Sequence, residues 1–305
     1  MPNHISLART LDEGTAVEGK SPNPGDQSIR WLGQANCCDP AQVGGKAANL
    51  GRLAMRFPVP AGFCLTAQML NRHQLAEQQE TILHAYAALE QLIGNAELSV
   101  AVRSSGIDED GKEASFAGQY ETFLNVRGAG AVLAAIEKCL HSAFAPRALD
   151  YRLHNGLNRA DIRLAVLVQQ LVPADVSAVI FSANPINGNR DETVITASWG
   201  LGESVVGGTV TPDTYIVRRA SQPTITAQIS DKVRMTVPTP TGTHEVPVPC
   251  LLRKERTLSD AQLLEMAQMA STLEEEMGYP VDLECAWHQG KLYLLQCRPI
   301  TTRLT

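Results

Sequence analysis

The chain has 305 residues, 44% hydrophobic and 19% charged, with a formal net charge of −6, a composition typical of a soluble protein with one large core or two smaller lobes. The negative balance gives no basic surface for nucleic acid, and no apolar run approaches the roughly 20 residues needed to cross a membrane. Seven scattered cysteines without a Cys-x-x-Cys pair, and no signal-like apolar stretch in residues 1–34, predict a cytoplasmic protein.

The first half of the chain alternates between helical and extended patterns. Residues 11–29 are polar and rich in Gly, Pro and Ser, so we expect residues 1–28 to be disordered. A Gly44-Gly45 turn opens a short helix. The other elements expected before residue 160 are an extended segment over 57–66, one or two helices over 66–93, a strand over 98–103 and a long helix over 129–153.

The second half is richer in strands. The expected strands cover residues 162–172, 178–185, 193–199, 214–219 and 224–229. Four prolines and several threonines over 235–250 indicate a surface loop, and Ser259 begins a helix. Because the helices do not alternate regularly with the strands, we predict an α+β fold in two lobes, 29–190 and 191–305, and no doubly wound sheet.

The end of the chain carries the strongest chemical signal. Two apolar segments flank His288-Gln289-Gly290, which predicts a β-hairpin. Since alternate side chains of a strand share a face, Glu284 can face Gln296, with Arg298 one repeat further on. Carboxylate and amide oxygens suit a Mg²⁺ ion that phosphates also hold, and a guanidinium suits a phosphoryl group. This hairpin therefore predicts a nucleotide triphosphate site.

Two basic positions in the first half are candidate phosphate ligands. Lys46 follows Gly44-Gly45 at a helix start, where backbone amides and the helix dipole favour anions. The spacing is not that of a Walker A loop, and for this motif alone a solvated lysine beside a glycine turn is the favoured interpretation. Arg103 and the hydroxyls of Ser104 and Ser105 close the strand over 98–103; the alternative is a strand-end arginine beside an ordinary loop.

Other polar positions are ambiguous by themselves. Gln169 follows an apolar strand, where free backbone groups can pair with an adenine edge, but surface amides at a strand end are the simpler interpretation. Glu203 after Gly200-Leu-Gly and the acid Asp213 are each as readily structural as functional. The seven histidines show no spacing typical of metal ligands.

Six segments together, in order over residues 30–302, resemble the N-terminal nucleotide-binding domain of the family that contains phosphoenolpyruvate synthase, pyruvate phosphate dikinase and rifampicin phosphotransferase. Those segments are Val43-Gly-Gly-Lys-Ala-Ala-Asn-Leu-Gly, Val59-Pro-Ala-Gly-Phe, Val102-Arg-Ser-Ser, Ala114-Ser-Phe-Ala-Gly-Gln-Tyr-Glu-Thr-Phe-Leu-Asn-Val, Trp199-Gly-Leu-Gly-Glu and Leu295-Gln-Cys-Arg-Pro-Ile. Six motifs in the family's order are far more specific than any one of them.

The resemblance implies an ATP-grasp fold with ATP and Mg²⁺ between two lobes. It gives Lys46, Arg103 and Arg298 contacts to phosphates and catalytic roles, and it makes Glu284 and Gln296 the metal ligands. The resemblance further implies that Gly118 and Thr122 belong to the loop that closes over the phosphates. It implies that Gln169 lies near the adenine and ribose.

The resemblance also has departures. Where the family often has Trp after the metal-binding Glu, this chain has Cys285-Ala286-Trp287, and no histidine lies in the Gly-Gly-x-x-x-His context of the family's phosphorylated domain. The first expectation is therefore a Mg-ATP-dependent phosphotransferase of dikinase type that passes a phosphoryl group to a histidine on a separate domain or subunit. Two alternatives stay open: a stand-alone kinase or activating enzyme with a small-molecule acceptor, and a non-catalytic nucleotide-binding regulatory subunit.

Overall fold

The computed structural model describes residues 28–70, 75–107, 110–111, 114–115, 121–154 and 162–300. The segment 1–28, expected to be disordered, lies outside these residues except for Ser28, and so does Gly118. Within the described part, no helix has both the length and the apolar character needed to span a membrane.

The first lobe is built on a five-stranded antiparallel sheet in the order β1-β2-β7-β3-β6. Its strands are β1 (Ile29–Trp31), β2 (Gly62–Leu65), β3 (Val100–Gly106), β6 (Thr122–Val126) and β7 (Leu164–Gln170). Two residue pairs form a separate short ladder, β4 (Asp110–Gly111) and β5 (Ala114–Ser115).

Helices cover both faces of this first sheet. Those of the first lobe are α1 (Pro40–Leu53), α2 (Gln79–Ile93), α3 (Ala129–Ser142) and α4 (Pro146–His154), with a 3₁₀ turn over Ala35–Cys37. Apolar side chains of α2 and α3 bury one face with Phe63, Val102 and Val168, while α1 packs on the other face against Cys64 and Leu167.

The second lobe is built on a six-stranded antiparallel sheet in the order β11-β10-β9-β8-β14-β15. Its strands are β8 (Val176–Phe181), β9 (Glu192–Trp199), β10 (Asp213–Arg218), β11 (Thr224–Gln228), β14 (Val281–His288) and β15 (Lys291–Pro299). Helix α5 (Glu203–Val206) is a single turn, and α6 (Asp260–Met277) buries its apolar face against the sheet. As expected, Ser259 begins α6, in a capping box with Gln262.

Three expectations from the sequence need correction. The expected helix over 129–153 is two helices, because Pro146 lacks the N–H that would continue α3 and instead begins α4. Arg103 does not end its strand but lies at the middle of β3, which runs on to Gly106. By strand pairing, the chain changes sheets between Gln170 and Val176, earlier than the expected boundary at residue 190.

The expected surface loop over 235–250 is also wrong. It contains a two-stranded hairpin, β12 (Arg234–Thr239) and β13 (Gly242–Pro247). Proline lacks a ladder donor and is tolerated where a strand has an open edge. Since this ladder has only two strands, both have such an edge, and Pro238 and Pro247 fit there.

Candidate active site between the two sheets

Arg103 joins the first lobe to the hairpin of β14 and β15. Its two terminal nitrogens donate to the Leu295 carbonyl at 3.1 Å and to the side-chain oxygen of Gln296 at 2.7 Å. The second of these nitrogens also lies 3.7 Å from a carboxylate oxygen of Glu284. The side chains of Arg103 and Glu284 are 13% and 20% exposed, so the charges meet in a largely desolvated place. Residues almost 200 positions apart in the chain are therefore in contact.

The hairpin owes its register to a two-residue turn and a bulge. Gln289 and Gly290 have φ angles of 50° and 75°, the left-handed conformations of a tight β-hairpin turn, and glycine adopts them at no steric cost. Counting from this turn without interruption would pair Glu284 with Leu295. A bulge at Leu295 shifts the pairing, so that Glu284 lies opposite Gln296 and Asp282 opposite Arg298. The face-to-face arrangement expected from the sequence is thus present.

The first lobe also covers the free edge of this hairpin. Strand β15 is the last strand of its sheet, and an edge strand leaves backbone groups without ladder partners. The N–H of Leu294 donates to the Pro58 carbonyl at 3.0 Å, and the Asn49 side-chain amide donates to the Cys297 carbonyl at 2.5 Å. Together with Arg103 on Leu295, these bonds fix the orientation of the hairpin relative to the first lobe.

Lys46 lies beside the same strand as Arg103. Its ammonium donates to the Ser104 carbonyl at 3.0 Å. Gly44 has a φ of 77° and breaks α1, so that a new helical turn starts next to Lys46; a Cβ on Gly44 would lie 2.4 Å from atoms of Ser105. The Ser105 hydroxyl then accepts the N–H of Ala47 at 3.1 Å, as a cap supplied by another strand. The glycine turn expected from the sequence therefore positions Lys46 against β3.

Arg298 forms an ion pair that sequence reasoning missed. Its Nε and one terminal nitrogen each lie 2.8 Å from the same carboxylate oxygen of Asp282. The other oxygen of Asp282 is buried without a hydrogen-bond partner, and burial raises the pKa of this carboxyl above its ordinary value, although Arg298 opposes the change. The signal was present, because Asp282 lies two residues before Glu284 on the same face.

The remaining predicted site residues are less closely connected. Thr122 pairs directly with Arg103 across β3 and β6 and is exposed. Gln169 is 2% exposed and donates to the Pro60 carbonyl at 3.1 Å, so the interpretation as a surface amide is wrong for this side chain. Asp213 accepts from Lys232 and Thr257 within the second lobe, and Glu203 accepts from Thr243.

The donor set at the hairpin consists of oxygen atoms, as Mg²⁺ prefers. Within the described ranges, no group of three or more His, Cys, Asp or Glu side chains is placed to hold a metal ion. A cation at Glu284 and Gln296 would thus take few protein ligands and the rest from phosphates and water, the manner in which Mg²⁺ is usually bound.

The chain matches a known protein family over most of its length. Residues 69–305 match the pyruvate phosphate dikinase, AMP/ATP-binding domain. The chain belongs to this family. The two antiparallel sheets with their helices confirm the predicted α+β fold in two lobes, and the family match confirms the resemblance from which the ATP-grasp expectation came.

Curated relatives of the family are longer proteins. A probable phosphoenolpyruvate synthase of Methanocaldococcus jannaschii is 38% identical over 90% of this chain and 27% of its own length. Phosphoenolpyruvate synthase of Pyrococcus furiosus is 35% identical over 90% of this chain and 44% of its own length. Rifampicin phosphotransferase of Streptomyces sviceus is 35% identical over 86% of this chain and 34% of its own length. The chain thus spans less than half the length of these three relatives.

Solved structures resemble the chain only distantly. PH1788 from Pyrococcus horikoshii has a TM-score of 0.40 and 13% identity, covering 83% of this chain and 88% of that chain. D-alanine–D-alanine ligase from Bacillus anthracis, complexed with ATP, has a TM-score of 0.35 and 10% identity, covering 86% of this chain and 55% of that chain. Likenesses of this degree carry no functional argument.

Proposed function

We propose that this chain is the Mg-ATP-dependent catalytic module of a dikinase-type phosphotransferase, acting with a histidine on a separate domain or subunit. One observation carries the proposal: Arg103 of the first lobe meets Glu284 and Gln296 of the terminal hairpin. A fixed cation beside oxygen ligands is the arrangement that phosphoryl transfer requires, since the protein contributes mainly positioning and charge stabilisation.

The oxygen-bearing side chains are assigned to the metal ion and the basic side chains to the phosphates. Glu284 and Gln296 would hold Mg²⁺, which when bound neutralises negative charge on the phosphates. Lys46 and Arg103, on adjoining elements of the first lobe, are assigned to the polyphosphate. Arg298 is assigned to the phosphoryl group that is transferred, and its ion pair with Asp282 holds the guanidinium fork in one orientation.

The reaction proposed consumes ATP and water. The β-phosphoryl group is transferred to the histidine nitrogen, which loses its proton, as the bond between the α- and β-phosphates breaks and AMP leaves. Water takes up the γ-phosphoryl group as the β–γ bond breaks, which gives inorganic phosphate. The relatives named phosphoenolpyruvate synthase and rifampicin phosphotransferase support this assignment through the family they share with the chain. The final acceptor of the phosphoryl group would be a small molecule.

The products distinguish this function from its alternatives. Purified protein is incubated with Mg-ATP, with and without a histidine-bearing domain from a relative, and AMP, ADP and phosphate are quantified. AMP and phosphate that form only with the histidine domain support the proposal. ADP, or AMP with a phosphorylated small molecule, would instead identify a self-contained kinase. If calorimetry shows no Mg-dependent ATP binding, both the proposed function and the self-contained kinase are refuted.

The variant Arg298→Ala tests the assignment within the same assay. Losing one charge-stabilising donor should cost roughly 3 kcal/mol or more of transition-state stabilisation, about a hundredfold in turnover. Arg253→Ala is the matched control, because Arg253 forms an ion pair with Asp231 at the surface, away from the hairpin. Turnover unchanged in Arg298→Ala would refute the role of Arg298.

A further inference from the structure

We propose that Asn49 is a positioning residue, which sets the distance between the lysine of the first lobe and the metal-binding hairpin of the second. This inference rests on the proposed function. Its basis is the hydrogen bond of 2.5 Å from the Asn49 side-chain amide to the Cys297 carbonyl. Cys297 lies between Gln296 and Arg298, so a single bond fixes the backbone from which both of these side chains extend.

The hairpin side of this bond is firmly held. The Cys297 side chain is buried in the second lobe's core with Leu283 and Leu294, and Cys297 pairs with Leu283 across the hairpin. Its carbonyl nevertheless needs a donor from outside the sheet, because β15 is the edge strand. Asn49 supplies that donor.

The helix side is held as well. Lys46 and Asn49 are three residues apart on α1, so their side chains lie on the same face of the helix. The start of this helical segment is attached to β3, through Lys46 on the Ser104 carbonyl and Ala47 on the Ser105 hydroxyl. At its other end, Leu53 is buried in the core of the second lobe. Helix α1 therefore contacts both lobes, and Asn49 is its polar contact with the metal-binding strand.

This geometry makes the chemical identity of residue 49 important. Asn49→Asp has nearly the same shape, but it replaces the donating amide by a carboxylate that repels the Cys297 carbonyl. Asn49→Ala removes the donor without adding charge. A displacement of about 1 Å within a catalytic constellation can cost about a hundredfold in rate, so the loss of one fixed contact has a measurable effect.

A double-mutant cycle with Lys46→Ala tests the proposal. Calorimetry gives the Kd for Mg-ATP of the full chain, Asn49→Asp, Lys46→Ala and the double variant. We expect Asn49→Asp to weaken binding about tenfold in the presence of Lys46 and much less in its absence, since Asn49 acts by placing Lys46. Asn49→Ala should weaken binding in the same direction by a smaller factor. The inference would be overturned if the factors by which Asn49→Asp and Lys46→Ala raise the Kd simply multiply in the double variant. An unchanged Kd in Asn49→Asp would also overturn it.

Two further measurements separate positioning from stability. In AMP formation with the histidine domain, Asn49→Asp should lower kcat by a larger factor than it raises KM, at a temperature where the unfolding curve shows the variant folded. Asn95→Asp, at an exposed position after α2, is the control and should change neither constant. A lowered unfolding temperature with kcat and KM unchanged would assign Asn49 a structural role only. Failure of the unaltered chain to bind Mg-ATP would instead refute the proposed function.

Discussion

Two hairpins of the second half of the chain, β12–β13 and β14–β15, contact the first lobe, but they are held in opposite ways. The hairpin β14–β15 is part of the six-stranded sheet, and one of its faces is buried in the core under α6. The hairpin β12–β13 forms its own two-stranded ladder. It meets the second lobe through a bridge between Gly200 and Thr236 and through the N–H of Leu201 on the Thr236 carbonyl at 2.8 Å.

Polar side chains hold the hairpin β12–β13 at both ends. At its root, the Lys232 ammonium lies 2.6 Å from the Asp213 carboxylate, and both side chains are completely buried. At its tip, the Asn125 amide donates to the carbonyls of Thr239 and Gly242, each at 2.5 Å. The site hairpin is thus fixed by many apolar contacts, whereas β12–β13 depends on a few polar groups.

The largest loss of stability is expected from breaking the ion pair at the root of β12–β13. Lys232→Met leaves the buried Asp213 carboxylate without its ion-pair partner, and removing one partner of a buried pair costs about 3–5 kcal/mol. The free energy of unfolding, measured by denaturant titration, should fall by this amount.

Arg253→Gln is the control for the root. Arg253 pairs with Asp231, the residue next to Lys232, but both side chains are partly exposed, and such pairs contribute about 0–1 kcal/mol. Similar losses in the two variants would contradict the view that burial makes the Lys232 pair important.

A smaller loss is expected at the tip. Asn125 is buried with a φ of 56°, and its side-chain oxygen accepts hydrogen bonds from Ser99 and Arg127. Asn125→Ala removes these bonds and the two donated to the hairpin, and leaves groups unsatisfied, so we expect a loss of about 1–3 kcal/mol. Asn125→Gly should lose less, because glycine adopts positive φ freely.

Proteolysis distinguishes the effect of Asn125 from a general loss of stability. If the amide fastens the hairpin, cleavage within residues 234–247 should accelerate in both Asn125 variants under conditions where the remainder of the chain is protected. Equal protection of this segment in Asn125→Ala and in the unaltered chain would show that the tip does not depend on Asn125.

The two hairpins also show what the sequence can predict. Alternating apolar residues around His288-Gln289-Gly290 define β14–β15, because a sheet with one buried face requires that alternation. Residues 234–247 lack this pattern, since the hairpin has little buried apolar surface. It is held by Asn125 and by the pair of Lys232 with Asp213, and both Asn125 and Asp213 are remote in sequence from its strands. A local pattern cannot report such distant polar contacts.

The candidate site was predictable in composition but not in its connections. The sequence predicted that Glu284 faces Gln296, but alternation counted from the turn would pair Glu284 with Leu295. The observed pairing therefore depends on the bulge at Leu295, which has no local signature. The contact of Arg103 with Leu295 uses a backbone carbonyl, and the acceptor of Asn49 is also a carbonyl. Residue types carry no information on which main-chain groups a fold leaves open.

The smallest expected effect is on the pH dependence of the free energy of unfolding. It concerns two buried carboxylates, Asp282 in the site hairpin and Glu274 in α6 behind it. Although burial alone would raise the pKa of Glu274, hydrogen bonds from Arg190, Ser182 and Arg219 lower it overall. The folded state thus binds this proton less readily than the unfolded state, and the stability that Glu274 contributes is lost as pH falls below about 4.5.

Asp282 should show the opposite sign. Because burial raises its pKa, the folded state retains the proton more readily, and stability falls as pH rises from the ordinary value of about 4 through the folded pKa. Urea titrations at several pH values should show Asp282→Asn gaining stability relative to the unaltered chain on going from pH 4 to pH 7, whereas Glu274→Gln should lose relative stability over the same range. If the relative stability of both variants changed in the same direction, burial would not destabilise the charged form of Asp282 as its unpartnered oxygen indicates. The carboxylate of the site hairpin would then be as well stabilised as that of Glu274 in the helix behind it.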